Sequence, residues 1–96
     1  MKTTKNESTA RAHREEIFYE IIQERGKQDA EWGGEATDDS RTVNDWIVYI
    51  VGHAARAIKN MQSTRYQFIR VAALAVAAVE AYDRQTRKKQ DDRNTP

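Results

Sequence analysis

Apolar positions fall into three blocks along the chain, each with a helical period. In the first, Ile17, Phe18, Ile21 and Ile22 make a narrow stripe, while Arg14, Glu16, Glu20, Gln23 and Lys27 lie elsewhere around the same helix. Ser8 or Thr9 supplies a cap, and Glu15 and Glu16 suit the positive end of a helix dipole. Gly26 weakens the segment by roughly 1 kcal/mol relative to alanine, so the helix either kinks there or continues to about Ala30, and Gly33-Gly34 ends it. The second block starts with a capping box, Thr42-Val43-Asn44-Asp45. Ile47, Ile50, Val51, Ala54, Ile58 and Met61 then recur at three- and four-residue steps, which predicts one buried face. In the third, Phe68 to Val79 is apolar on every side, interrupted only by Arg70, and Ser63-Thr64 caps it.

A helix that is apolar all round predicts burial all round. Two partner helices from one short chain do not surround it, whereas its alanines allow close packing against another subunit. The expected fold is therefore all-α, a three-helix unit assembled into a homo-oligomeric helical bundle. Residues 1–7 read as a disordered tail, and 8–86 as a single domain with helices at about 8–31, 43–61 and 64–86. Residues 87–96 read as a disordered charged tail.

Composition narrows the function classes. With 39% apolar and 32% charged residues the chain has enough hydrophobic content to fold. It has no cysteine, which removes disulfides and thiolate metal sites and fits the cytoplasm. The first residues lack an apolar signal-type segment, and Val71–Val79 is too short to cross a bilayer, so no membrane role is expected. A formal net charge of +1 is no footprint for nonspecific nucleic-acid binding. An anionic ligand must be met locally.

Three constellations carry candidate chemistry. Tyr49, His53, Arg56 and Asn60 share one stripe of the second helix, where an arginine fork and an imidazole can meet phosphate and a tyrosine can stack on a base. The same stripe is also what a solvated helix face looks like. Glu16, Glu20 and Glu24 form a row on the first helix, and Glu80 and Asp83 an ExxD pair on the third, a donor set with which a bundle holds magnesium, although exposed acids serve as well in surface ion pairs. The stretch ERGKQDAEWGGEATDD gathers Arg25, Gln28, Trp32, Gly33, Gly34, Asp38 and Asp39, with Trp46 just beyond. Without ligand chemistry, its tryptophans cover a small core and its acidic pair caps the second helix.

The words Glu24-Arg25, Gln28-Asp29, Trp32-Gly33-Gly34, Asp38-Asp39, Asp45-Trp46, Tyr49-Ile50, His53, Arg56-Ala57 and Val71 to Ala78 together resemble a family of small phage and prophage proteins. Their loop wording is also similar to that of all-α, MazG-like nucleotide pyrophosphohydrolases. In those enzymes EExxE and ExxD motifs hold magnesium. Here Glu15-Glu16 meets Tyr19 where a third acid belongs, and Thr37 stands where a histidine precedes the acidic pair, while Glu80 and Asp83 fit. Most members of the phage family have no assigned function. The resemblance, together with the aromatic and basic residues around the loop and the incomplete metal motif, gives the expectation of a cytoplasmic phage protein that binds and sequesters a nucleotide-like signalling molecule of host defence, without turnover or cofactor. Arg25, Gln28, Trp32, Trp46, Tyr49, His53 and Arg56 are its expected ligand-binding residues. A magnesium-dependent hydrolase using Glu16, Glu20, Glu80 and Asp83 is one alternative. An adaptor that inhibits a host protein is another.

Overall fold

The computed structural model describes the backbone of residues 5–59 and 63–94, and the side chains of 6–59 and 63–91. The chain is all-α, with the order α1 (Lys5–Trp32), α2 (Gly34–Asp39), α3 (Val43–Lys59) and α4 (Thr64–Asn94). No described helix is long and apolar enough to cross a membrane. Met61 and Asn60, placed by sequence on the second helix, lie outside the described residues, as do 1–4 of the expected N-terminal tail and the closing residues 95 and 96.

Local signals act where expected at two junctions. The backbone N–H of Thr42 donates to Asp45 Oδ2 at 2.9 Å and the N–H of Asp45 donates to Thr42 Oγ1 at 3.1 Å, a complete capping box that starts α3. Gly33 closes α1 with a positive φ of 97°, and its N–H donates to the Asp29 carbonyl. Elsewhere the helices run longer than expected. Helix α1 runs through Gly26, the continuous one of the two courses expected there, and also includes residues 5–7 of the expected tail. The chain resumes at Gly34 as the short α2, and α4 continues past residue 86 to Asn94. Arg87, Lys88, Lys89 and Gln90 are straight-chain residues that lose little freedom in a helix, which accounts for the extension.

Among the described residues the backbones of α1 and α3 each lie close to α4 but not to each other, and the two helices meet only through side chains, so α4 is the central helix of an open arrangement only 21 Å across its thinnest dimension. The core is correspondingly slight: Trp46 of α3 seats against Leu74, Ala77 and Ala81 of α4, flanked by Trp32, Ile50 and Ala78. Burial of α4 is thus one-sided in a single chain, not all round. Ile69, Ala73, Leu74, Ala77 and Ala81 are buried, while Phe68, Val76 and Val79 are exposed at 62%, 42% and 59%.

The face of α3 that docks is also a correction. Trp46, His53 and Ala57 are buried with Ile50 beside them, whereas Ile47, Val51, Ala54 and Ile58 face outward. Helix α3 carries two apolar stripes, and the one with the large Trp46 indole, which buries the most area per residue, packs on the alanines of α4. On α1 the docking row begins apolar at Ile17 and Ile21 and then turns polar, so that Glu24 and Gln28 become its most buried residues.

Candidate functional site

Because α1 and α3 flank α4 without touching through their backbones, a cleft of about 440 Å³ opens between them. Glu31 and Trp32 come from the last turn of α1, Arg41 from the turn before α3, and Tyr49, His53 and Arg56 from successive turns of α3. Arg70 and Leu74 of α4 form the rest of the lining. The predicted stripe Tyr49, His53 and Arg56 thus does share one cavity with Trp32.

The site is cationic and aromatic together. The Arg41 guanidinium carbon sits 5.7, 5.1 and 4.7 Å from the ring centroids of Trp32, Trp46 and Tyr49. Such contacts are worth about 0.5–1 kcal/mol each at exposed positions. Among the described residues Arg41 makes no ion pair with a carboxylate. The Trp32 and His53 rings lie 6.4 Å apart, tilted by 38°. Arg56 Nη1 donates to His53 Nδ1 at 3.3 Å, which makes Nδ1 the acceptor and leaves the ring proton on Nε2. Burial, followed by the charges of Arg70 and Arg56, pulls the His53 pKa below the ordinary histidine value, with Gln67 and Glu24 opposing more weakly. His53 is therefore held neutral, and ready to accept a proton when a negative group arrives.

Arg70 has a divided role. Its Nε is buried without a hydrogen bond, 3.7 Å from Oε1 of the buried Glu24. Glu24 is engaged from another side as well, since the single Tyr66 hydroxyl proton is shared between its two carboxylate oxygens at 3.3 and 3.2 Å. A buried guanidinium N–H without an acceptor costs about 1–3 kcal/mol. Arg70 also lies on the cleft wall.

The remaining predicted ligand-binding residues are placed differently. Arg25 is held in an ionic cluster outside the cleft. Its Nη2 lies 3.0 Å from Asp29 Oδ1 and 3.5 Å from Asp38 Oδ2, and its Nε lies 3.2 Å from Glu80 Oε1. Gln28 is buried, accepting from Arg25 and donating to the Arg70 carbonyl at 3.4 Å. Trp46 is a core plug whose ring supports Arg41 from beneath. Nor does the acidic pair cap α3, because Asp45 already does so. Asp38 pairs with Arg25, and Asp39 accepts from Arg84 at 2.8 and 2.9 Å, so together they tie α2 to α1 and α4.

The acids of the magnesium set are dispersed in the same way. Glu20 pairs with Arg65 at 2.7 Å and Glu80 with Arg25, and Glu16 lies on an exposed part of α1. Among the described residues no group of three or more histidines and carboxylates stands close enough to hold a metal ion.

Sequence reasoning missed Arg41 and Arg70 as members of the cleft. Arg70 had a visible signal, as the lone charge inside an otherwise apolar helix run. Arg41 had none, since its ring partners lie nine residues before and five and eight residues after it and only the α2 turn brings them together. Compared with protein-family models, curated proteins and solved structures, the chain finds no match.

Proposed function

We propose that this protein binds an anionic, nucleotide-type small molecule in the cleft between α1 and α3 and holds it unreacted, as a phage-type sequestering protein acting on a host-defence signal. The observation that carries the reading is the convergence of Arg41, Arg56 and Arg70 with a neutral His53 on a cleft walled by Trp32 and Tyr49. Guanidinium forks match phosphate oxygens two at a time, and aromatic faces match a base. Holding without turnover is supported by the acids a metal-assisted hydrolysis would need, since Glu20 and Glu80 are already engaged by arginines. The defence-signal part rests on the resemblance of the loop and alanine-rich helix to phage proteins.

We further propose a homo-oligomer built on α3. Ile47, Val51, Ala54 and Ile58 follow each other at steps of four, three and four, the spacing of a coiled-coil seam, and all four are exposed in the single chain. Next to this seam, Val43, Ile47, Val79 and Tyr82 border an apolar hollow of about 260 Å³. A pair of chains joined through these surfaces covers much of the apolar area that one open helical layer leaves in water.

The decisive experiment incubates the protein with a panel of linear and cyclic nucleotides, removes unbound material, denatures the protein and identifies what is released. Intact nucleotide supports sequestration, and products alone refute it. The Arg56→Ala variant is expected to retain less nucleotide by about tenfold or more, the cost of one charge-assisted contact to phosphate.

A further inference from the structure

Arg41 occupies an unusual place. Three rings, Trp32, Trp46 and Tyr49, surround its guanidinium within 6 Å, yet no carboxylate among the described residues pairs with it. It sits in the three-residue connection 40–42 between α2 and α3, outside any helix, so its side chain can leave without breaking helical hydrogen bonds. A planar delocalised cation lying among aromatic faces has the shape and stacking chemistry of a nucleobase. Arg56 and His53 lie farther along the same cleft, where a phosphate attached to such a base is met.

We propose that Arg41 holds the seat of the ligand's base in the empty protein, and that base and guanidinium exchange places on binding. The base stacks among Trp32, Trp46 and Tyr49, and the displaced Arg41 turns to the ligand's phosphate beside Arg56. This rests on the nucleotide reading above and adds to it a selection rule. A nucleoside without phosphate must evict Arg41 and offers it nothing in return. A phosphate without a base leaves Arg41 on its rings. Only a ligand carrying both groups compensates the exchange, so the cleft discriminates nucleotides from both of their fragments through one side chain.

The seat is tested first without any nucleotide. In Arg41→Ala the place of the guanidinium between Trp32 and Tyr49, over the buried Trp46, is vacated, and millimolar methylguanidinium is expected to produce a saturable change in tryptophan fluorescence that the native protein does not show. An equal response in both proteins overturns the seat. Binding of nucleoside monophosphates, the matching nucleosides and ribose 5-phosphate is then measured by calorimetry for the native protein, Arg41→Ala and Arg56→Ala. Arg41→Ala is expected to bind the nucleosides roughly fivefold more tightly, the equivalent of one or two ring contacts no longer to be displaced. Its preference for nucleotide over nucleoside should fall at least about tenfold as a phosphate partner is lost. Arg56→Ala lowers the same preference with no gain for nucleosides.

If nucleotides bind the native protein and Arg41→Ala weakens or leaves unchanged its nucleoside affinity, the exchange is wrong and the nucleotide reading stands. If no member of the panel binds while methylguanidinium fills the vacated seat, the nucleotide reading itself fails, and with it the exchange. Should Arg41→Ala not fold, Arg41→Lys carries the test, because an ammonium keeps the phosphate contact but stacks poorly; nucleosides then gain affinity while nucleotides keep theirs, and a loss for both overturns the exchange.

Discussion

Arg25 reaches the buried carboxylate of Asp38 across 3.5 Å, and in doing so fastens the six-residue α2 to the much longer α1. Burial pushes the Asp38 carboxyl above the usual carboxylate range, and Arg25 is the largest influence pulling it back. Replacing Arg25 by alanine leaves that charge with only the weaker influence of Arg41 and Arg84, at a cost of up to about 3 kcal/mol in urea unfolding. Asp38→Asn in the same background is expected to restore part of the loss. The pH dependence has a definite sign. A carboxyl whose folded pKa is raised takes up a proton more readily when folded, so stability is gained as pH falls through that pKa. The deficit of Arg25→Ala should therefore narrow on acidification. A deficit that widens instead would show that Asp38 is not the affected group.

His53 gives the opposite sign. Its folded pKa lies below the ordinary histidine value of 6.5, so between those two points the unfolded chain binds the extra proton and stability falls as pH drops. A phosphate placed against the ring reverses the shift. Nucleotide binding is expected to take up a proton and to tighten as pH is lowered toward the depressed His53 pKa, measured by calorimetry in buffers of different ionisation heat. His53→Gln abolishes that uptake, whereas His13→Gln, on the exposed part of α1, preserves it.

At Gly33 the backbone has a φ of 97°, and an added Cβ would fall 2.5 Å from Thr37 Oγ1. Gly33→Ala should cost about 1–3 kcal/mol from the conformation alone. It should also shift Arg41 from its rings, because α2 is the arm between them. Tryptophan fluorescence that remains native in this variant would disconnect α2 from the cleft.

The α3 seam predicts assembly. Ile47→Glu or Val51→Glu places a charge where apolar chains meet, and light scattering should then report a monomer where the native protein is larger. Both residues are exposed at more than 50% in the single chain, so neither change should unfold it. A native protein that is monomeric at micromolar concentration refutes the seam.

What could be read from the sequence was local. The Thr42–Asp45 capping box and the glycine stop at Gly33 depend on residues within a few positions of each other, and both stand where the pattern placed them. So does the sharing of a cleft wall by Tyr49, His53 and Arg56, which follows from helix period alone. The facing of α3 was not legible, because two apolar stripes compete and the period cannot say which one a single chain buries. Arg25 looked like a ligand cation for a similar reason. Its partners Asp38 and Glu80 lie on two other helices, and nothing in the spacing announces a salt bridge across 55 positions.

Ala73, Ala77 and Ala81 are buried to the last few per cent along one side of α4, and the last two pack in the cluster that receives the Trp46 indole. Their methyl groups work as shims. A shim one or two carbons thicker would lever α3 outward as a rigid rod, carrying Tyr49, His53 and Arg56 with it. The gauge of the cleft is therefore set from behind, by residues that never meet a ligand, and a lineage facing a larger or smaller ligand could refit it there while leaving its cationic and aromatic walls untouched.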